Sequence, residues 1–352
     1  MIKLGASRID IERAAEILNN GGLVAFPTET VYGLGADAFN PLSLARVFKV
    51  KNRPHFDPLI IHIAKTNSLE HIACLDSLDS HCRKLLDLLI NSFWPGPLTL
   101  VLPKRQEVPG LATAGLPAVA IRFPSNPVAQ ALITLSTGAV AAPSANPFGR
   151  LSPTRAEHVM ETLGNSIDCI IDGGPCQVGV ESTVLEIQNA GIPRILRPGG
   201  INRKQLEAII GPVEDGSKIS QEKGNIQCDQ NKTAALSAPG MMQSHYAPVV
   251  PLFLHSPEEM ATLPYHDKEG YLFFSGKNRT QWPTNPVQLS SHCPAILTLS
   301  ETGNITEAAA NLYEYLHILD RSGASCIHAE SLPEEGIGEA INDRLYRACH
   351  KN

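Results

Sequence analysis

Residues 8–26, RIDIERAAEILNNGGLVAF, decide how the chain is read. Ile9, Ile11, Ala14, Ala15 and Leu18 recur at helical intervals, and Gly21 and Gly22 stop the helix. Leu23-Val24-Ala25-Phe26 then reads as a buried strand ended by Pro27. Working outward, apolar strand signals of the same kind recur at residues 59–63, 98–102, 118–122, 139–142, 169–172 and 183–187, with helix signals near 42–50, 79–92, 126–136 and 154–163. Runs this short suit a sheet covered by helices, and their order is too irregular for a simple βαβ repeat, so a mixed α/β sheet is expected.

Beyond residue 210 the pattern lapses into a polar stretch, GPVEDGSKISQEKGNIQCDQNKTAALSAPGMMQS, too long for a loop inside one compact domain. Strand signals resume at 249–254 and 271–274, with amphipathic helix signals at 305–320 and 336–349. The expected organisation is a first domain over 1–210, a linker over 211–245 and a smaller α/β domain over 246–352.

A chain of 352 residues that is 43% hydrophobic can bury two cores. Aromatics make up only 5%, against 27 glycines and 27 prolines, which favours turns and backbone-lined pockets over a base-stacking platform. The net charge of −6 is uneven: residues 1–210 hold 19 Lys and Arg against 18 Asp and Glu, or +1, and the remainder hold 10 against 17, or −7. An anionic ligand is therefore expected in the first part. The eight cysteines form no CxxC pair, so no zinc knuckle is expected and no residue is assigned as a metal ligand. With no secretory leader and no apolar run of the roughly 20 residues a membrane span needs, a cytoplasmic protein without membrane contact is expected.

Several catalytic signatures are missing: GxxxxGK[ST], HExxH and GxSxG. Gly33-Leu34-Gly35-Ala36-Asp37-Ala38 imitates a dinucleotide fingerprint, but Pro27 to Thr30 interrupt the strand before it. Polar clusters at strand ends remain. Pro27 to Gly35 reads either as a tight turn capped by threonine or as a loop that brings backbone close to a ligand. Lys49, Lys51 and Arg53 at a helix end read either as favourable cations there or as a phosphate clamp. His62 on an apolar strand reads by default as a core histidine. Arg122, where a strand leaves the core, needs an anion, and a ligand carboxylate is one natural partner.

Taken in order, PTETVYGLG, KNRP with DPLIIHI, FWPGPLTLVL, AVAIRFP, APSANPFGRLSPT, GVESTVLEI and ILRPGG resemble the YrdC-like family. PGMMQSHYAP and GIGEAINDRLYRA resemble its long, two-domain members. The resemblance implies a twisted open sheet with a concave face, followed by a Rossmann-like domain. It also implies an enzyme that makes L-threonylcarbamoyladenylate and pyrophosphate from L-threonine, bicarbonate or CO2, and ATP carrying Mg2+, with no tightly bound organic cofactor. A separate tRNA threonylcarbamoyl transferase would then use the product on the adenosine beside the anticodon, and a weak tRNA contact is compatible with this.

Carried over by motif, Thr30, His62, Arg122, Ala142 and Ser182 resemble the threonine pocket. Lys51, Arg53, Ala118, Ser144, Ser152 and Arg197 resemble ATP contacts, with Lys51 and Arg53 facing the phosphates in the reaction. Tyr246 resembles the linker residue that folds back over the nucleotide, and the linker itself is expected to act as a lid. Two departures stand out. Asp57 replaces the family's usual asparagine among the ATP contacts and offers only acceptors when ionised. Met242 and Gln243 stand where a lysine is usual. Two other readings are an enzyme that forms a carbamoyl adenylate from carbamoyl phosphate, disfavoured by the missing zinc-finger cysteines, and a non-catalytic RNA-binding module, given little support by a near-neutral first domain.

Overall fold

The helix read from residues 8–26 is α1 (Arg8–Asn19), capped by the Ser7 side chain, which accepts from the Asp10 amide. Ile11, Ala14, Ala15 and Leu18 are its buried stripe, while Ile9 is left exposed at its first turn. The computed structural model describes residues 1–189, 191–216, 245–279 and 295–350. The lid expected in the linker and the residues Met242 and Gln243 lie wholly or largely in 217–244, outside the described residues.

The first sheet has eleven strands among the described residues. They are β1 (Ile2–Leu4), β2 (Val24–Phe26), β3 (Gly33–Asp37), β4 (Ile60–Ile63), β5 (Leu98–Pro103), β6 (Ala118–Arg122), β7 (Ala139–Ala141), β8 (Cys169–Ile171), β9 (Thr183–Glu186), β10 (Arg194–Arg197) and β11 (Glu214–Asp215). Across the sheet the order is β1-β8-β2-β3-β7-β4-β6-β5-β9-β10-β11, with parallel and antiparallel pairs mixed as expected. Helices α2 (Pro41–Lys51), α3 (Ser80–Phe93), α4 (Pro127–Leu135), α5 (Ala156–Leu163) and α6 (Arg203–Ile210) accompany it. The glycine-rich stretch 33–37 is strand β3, paired antiparallel to β2 and β7, and β11 carries the sheet past residue 210.

Alternation along the central strands separates core from site. Ile61, Ile63, Leu98, Leu100, Leu102, Val119 and Ile121 enter the main core under the sheet. Ile60, Val101, Ala120 and Val184 form a smaller cluster on the opposite face, the face that also receives His62 and Arg122. β4 and β6 run parallel with His62 opposite Arg122, so the pairing itself sets these two polar side chains beside each other.

The second sheet is parallel throughout, in the order β12-β15-β13-β14: β12 (Leu252–His255), β13 (Gly270–Ser275), β14 (Ile296–Ser300) and β15 (Ile327–Glu330). Its helices are α7 (Pro257–Thr262), α8 (Ile305–Arg321) and α9 (Gly338–Cys349). Val31, Leu151 and Val180 of the first unit share one buried cluster with Tyr246, Leu312, Tyr313 and Leu316, so the two sheets dock through a common apolar seam. Beside the seam, Arg155 pairs with Glu314 at 2.7 Å and Arg321 with Glu161. The His158 and His317 rings stack at 3.9 Å.

Gly179 lets the backbones meet. It sits at φ +78°, and a Cβ there would fall 2.1 Å from the Ala309 carbonyl oxygen on α8. Gly179→Ala should cost roughly 2–6 kcal/mol through backbone strain and overpacking. Calorimetry on the full chain should show a lower or divided transition, and an unchanged one would contradict the docking. A second expectation concerns acid. Burial above all lowers His62 and His158 to about 3 and His317 to about 4, with Arg122 adding to it at His62 and the stacked His317 at His158. In the unfolded chain these groups take protons near 6.5, so their stabilising effect is complete above that pH and is lost as pH falls toward 4. Each removes about 1.4 kcal/mol per pH unit in that window. Thermal midpoints should be level from pH 8 to 7 and drop below 6.5; a level profile down to pH 5 would refute this.

Candidate active site

The pocket opens on the polar face of the first sheet, a narrow, mostly enclosed cleft. Of the residues singled out in the sequence, Thr30, His62, Arg122, Ala142 and Ser182 line it, as do Arg53, Ser144, Arg197 and Tyr246. Lys51, Asp57, Ala118 and Ser152 are not among its lining residues.

At one end, Arg122 is 3% exposed and faces Glu29 at 2.7 Å. It also donates to the Thr30 hydroxyl at 2.9 Å. The Thr28 hydroxyl donates to the Val31 carbonyl, so Thr30 must be the donor in the 2.8 Å Thr30–Thr28 contact. A one-way chain of hydrogen bonds thus fixes Thr30 as an acceptor toward Arg122. Burial, reinforced by Arg122, holds His62 at about 3, so it is neutral near pH 7, with Nδ1 3.2 Å from the Ile60 carbonyl. The default reading of His62 as a core histidine understates its position, since it is buried and lines the cavity.

At the other end, Arg53 donates to the Asp57 and Pro58 carbonyls and pairs with the Asp57 carboxylate at 2.9 Å. Asp57 is fully buried, so its charge is spent on Arg53 and it presents no oxygen to the cavity. Arg197 is anchored on the Ser182 carbonyl at 2.9 Å, and the Ser182 hydroxyl meets Thr99 at 2.7 Å. The C-cap Asn52, at φ 54°, ends α2 and turns the chain toward Arg53. Lys51, in the last turn of α2, points its ammonium at the carbonyls of Ser144, 2.6 Å away, and Asn146. Burial, then Arg53, lowers Lys51 well below the ordinary lysine value. Lys51 therefore shapes the turn that carries Ser144 into the pocket.

The third wall comes from between the sheets. Glu181 is 6% exposed and receives hydrogen bonds from Ser152 at 2.6 Å, from Tyr313 at 3.1 Å and from Arg344 at 2.7 Å. Burial alone would raise its carboxyl, but Arg344, Arg197 and Ser152 outweigh that and hold it at about 2. Arg344 of α9 also donates to the Pro198 carbonyl at 2.9 Å and lies 5.1 Å from the Tyr246 ring centroid, a cation–π contact. His245 and Tyr246 fill this corner, and the Tyr246 hydroxyl is buried with no hydrogen-bond partner among the described residues.

Glu29, Glu181, Tyr313 and Arg344 received no role from the sequence. Glu181 lies inside the quoted GVESTVLEI stretch, where a charged residue just before an apolar strand was a usable signal. Arg344 and Tyr313 lie on amphipathic helices more than 100 residues away, and nothing local marks them.

Fold and pocket define a two-sheet α/β protein whose small-molecule site is lined by buried arginines and closed by residues between the sheets. A family model described as "Telomere recombination" matches residues 16–199, and one described as "Threonylcarbamoyl-AMP synthase, C-terminal domain" matches residues 201–349. The chain is 40% identical over 350 residues to the threonylcarbamoyl-AMP synthase of Bacillus subtilis, covering 99% of this chain and 95% of that one. It is 39% identical over 340 residues to that of Pyrococcus abyssi, covering 96% and 93%. The crystal structure of P. abyssi Sua5 complexed with L-threonine superposes with a TM-score of 0.82 at 36% identity, covering 99% of this chain and 97% of that one. The chain belongs to the threonylcarbamoyl-AMP synthase family, in its two-domain Sua5 form.

Because the Tyr246 hydroxyl has no partner among the described residues while its ring packs on Arg344, Tyr246→Phe should leave stability nearly unchanged. Tyr246→Ala should cost roughly 3–5 kcal/mol. Thermal denaturation separates the two, and equal losses would mean the hydroxyl, not the ring, matters.

Proposed function

We propose that this chain is an L-threonylcarbamoyladenylate synthase that joins L-threonine, bicarbonate or CO2 and ATP into threonylcarbamoyl-AMP, with release of pyrophosphate. The observation that carries the reading is one cavity with two anion-matched ends: Arg122 with Thr30 and His62, and Arg53 with Arg197 and Ser144. Arg122 fits the threonine carboxylate in fork geometry, with Glu29 and Thr30 holding its plane. Ala142 contributes backbone, while neutral His62 and Ser182 complete the amino-acid end. Arg53 and Arg197 face the nucleotide phosphates, and Tyr246 closes over them. Lys51 acts through the Ser144 turn, Ser152 through Glu181, Asp57 through Arg53, and Ala118 through main chain on the same face of β6.

The covalent steps need positioning and charge stabilisation more than a reactive side chain. Threonine's free amine adds to CO2, and the carbamate oxygen attacks the α-phosphorus as pyrophosphate departs. Glu181, the carboxylate lining the pocket, is engaged by Arg344, and Glu29, off the lining, by Arg122. Mg2+ is therefore assigned to the ATP phosphates as part of the substrate, with no protein-held ion. In this reading the product passes to a separate tRNA threonylcarbamoyl transferase, in the cytoplasm, and any tRNA contact by this chain is weak. The working division remains a catalytic unit over 1–210, a linker and lid over 211–245 and an accessory unit from 246, with β11 added to the first sheet.

Pyrophosphate release should require threonine, bicarbonate and ATP together, and serine should be used roughly 10- to 200-fold less well, since one methyl group sets the difference. Arg122→Ala should raise KM for threonine far more than KM for ATP. Threonine-independent release, or the reverse order of KM effects, would contradict the reading.

A further inference from the structure

At the amino-terminal end of the second sheet, outside the pocket, three unlike donors converge. Cys326 precedes β15 by one residue and His328 is two positions further on, so strand alternation puts both on one face. Gly270 is in register with Ile327, which brings Glu269 to the same place. His328 Nε2 lies 3.2 Å from Glu269 Oε2 and 3.5 Å from Cys326 Sγ. All three donor atoms lie within 4.8 Å of one another.

We propose that Glu269, Cys326 and His328 form a zinc-binding site, with water as the fourth ligand. Ordinary Zn–S, Zn–N and Zn–O bond lengths at a tetrahedral centre require donor separations of about 3.6 Å between sulfur and nitrogen and about 3.4 Å between nitrogen and oxygen. The two measured edges are within 0.2 Å of these values. Thiolate and imidazole together select zinc over Mg2+ or Ca2+, which prefer all-oxygen sites.

The surroundings orient the donors. The other ring nitrogen of His328 is 2.9 Å from His255 Nε2, and the Tyr271 hydroxyl donates to Glu269 at 3.0 Å. Phe253 and Tyr271 stack on the His328 ring at 5.5 and 5.4 Å and hold its plane. Such outer partners fix tautomer and direction in metal sites. A plain hydrogen-bonded chain from Glu269 through His328 to His255 would explain two of these distances. In that arrangement the Cys326 thiol donates to Glu269, so stoichiometric zinc binding and the thiolate-to-cobalt band are what separate the two. All three ligands are half-buried, so water and metal can reach them. Bound zinc would tie the start of β13 to β15, and its effect should be on stability, since none of these residues lines the pocket.

The test uses the full chain, stripped with chelator and titrated with Zn2+ against a chromophoric competitor, and in parallel with Co2+ to read the thiolate-to-cobalt band. The expected result is one equivalent bound at low-micromolar affinity or tighter, with a raised thermal midpoint and unchanged pyrophosphate release. Cys326→Ser and Glu269→Gln should each weaken binding by at least about tenfold, and Cys326→Ser should abolish the cobalt band. The two variants touch different elements, so a folding failure in one leaves the other decisive. Absence of stoichiometric binding in the unsubstituted chain, or binding unchanged in a folded variant of either kind, would overturn the proposal.

Discussion

The buried carboxylate of Glu181 is the constraint on which the rest depends. It belongs to the first sheet, lines the pocket and is held charged by Arg344, a residue of the last helix of the second unit. Neither group is tolerable alone at that depth, since breaking a buried pair by removing one partner costs about 3–5 kcal/mol. The pair therefore enforces docking of the two units, and docking in turn seats Tyr246 against Arg344 and completes the pocket wall. The acidic second unit is no neutral appendage in this account: it supplies a cation where the first unit has a carboxylate.

The same logic recurs within the pocket. Arg53 is matched by Asp57 and Arg122 by Glu29, each pair almost wholly buried. These pairings keep the cations in place in a region from which water is largely excluded, and each arginine keeps further N–H donors for ligand oxygens. Asp57, off the pocket lining, bears on the pocket only through Arg53.

Much of this was legible in the sequence, for a physical reason. Ala118–Arg122 carries its arginine at the end of an apolar run, and a buried guanidinium there needs a ligand or an ion pair; His62, inside Leu59–Ile63, reads instead as a core histidine. β3 was harder, because Gly33 and Gly35 are poor strand formers and look like a ligand loop. Phe26 and Val140 lie so close to Gly35 that no side chain fits there. Nothing local in the sequence showed that Ser152, Lys51 and Asp57 would contact Glu181, the Ser144 carbonyl and Arg53 and stay off the pocket lining. Arg344, and the trio of Glu269, Cys326 and His328, are assembled by sheet register and domain docking, which leave no local spacing to read.

The most direct test of the central claim is a double-mutant cycle on Glu181 and Arg344 in the full chain, read as kcat/KM for ATP in threonine-dependent pyrophosphate release. If the pair acts as one unit, Arg344→Met should impair the enzyme strongly, and Glu181→Gln with Arg344→Met together should be no worse than the poorer single variant, giving an interaction energy above about 1 kcal/mol. Additive losses, or an Arg344→Met enzyme with unchanged ATP kinetics, would show that the second unit does not help to build the site.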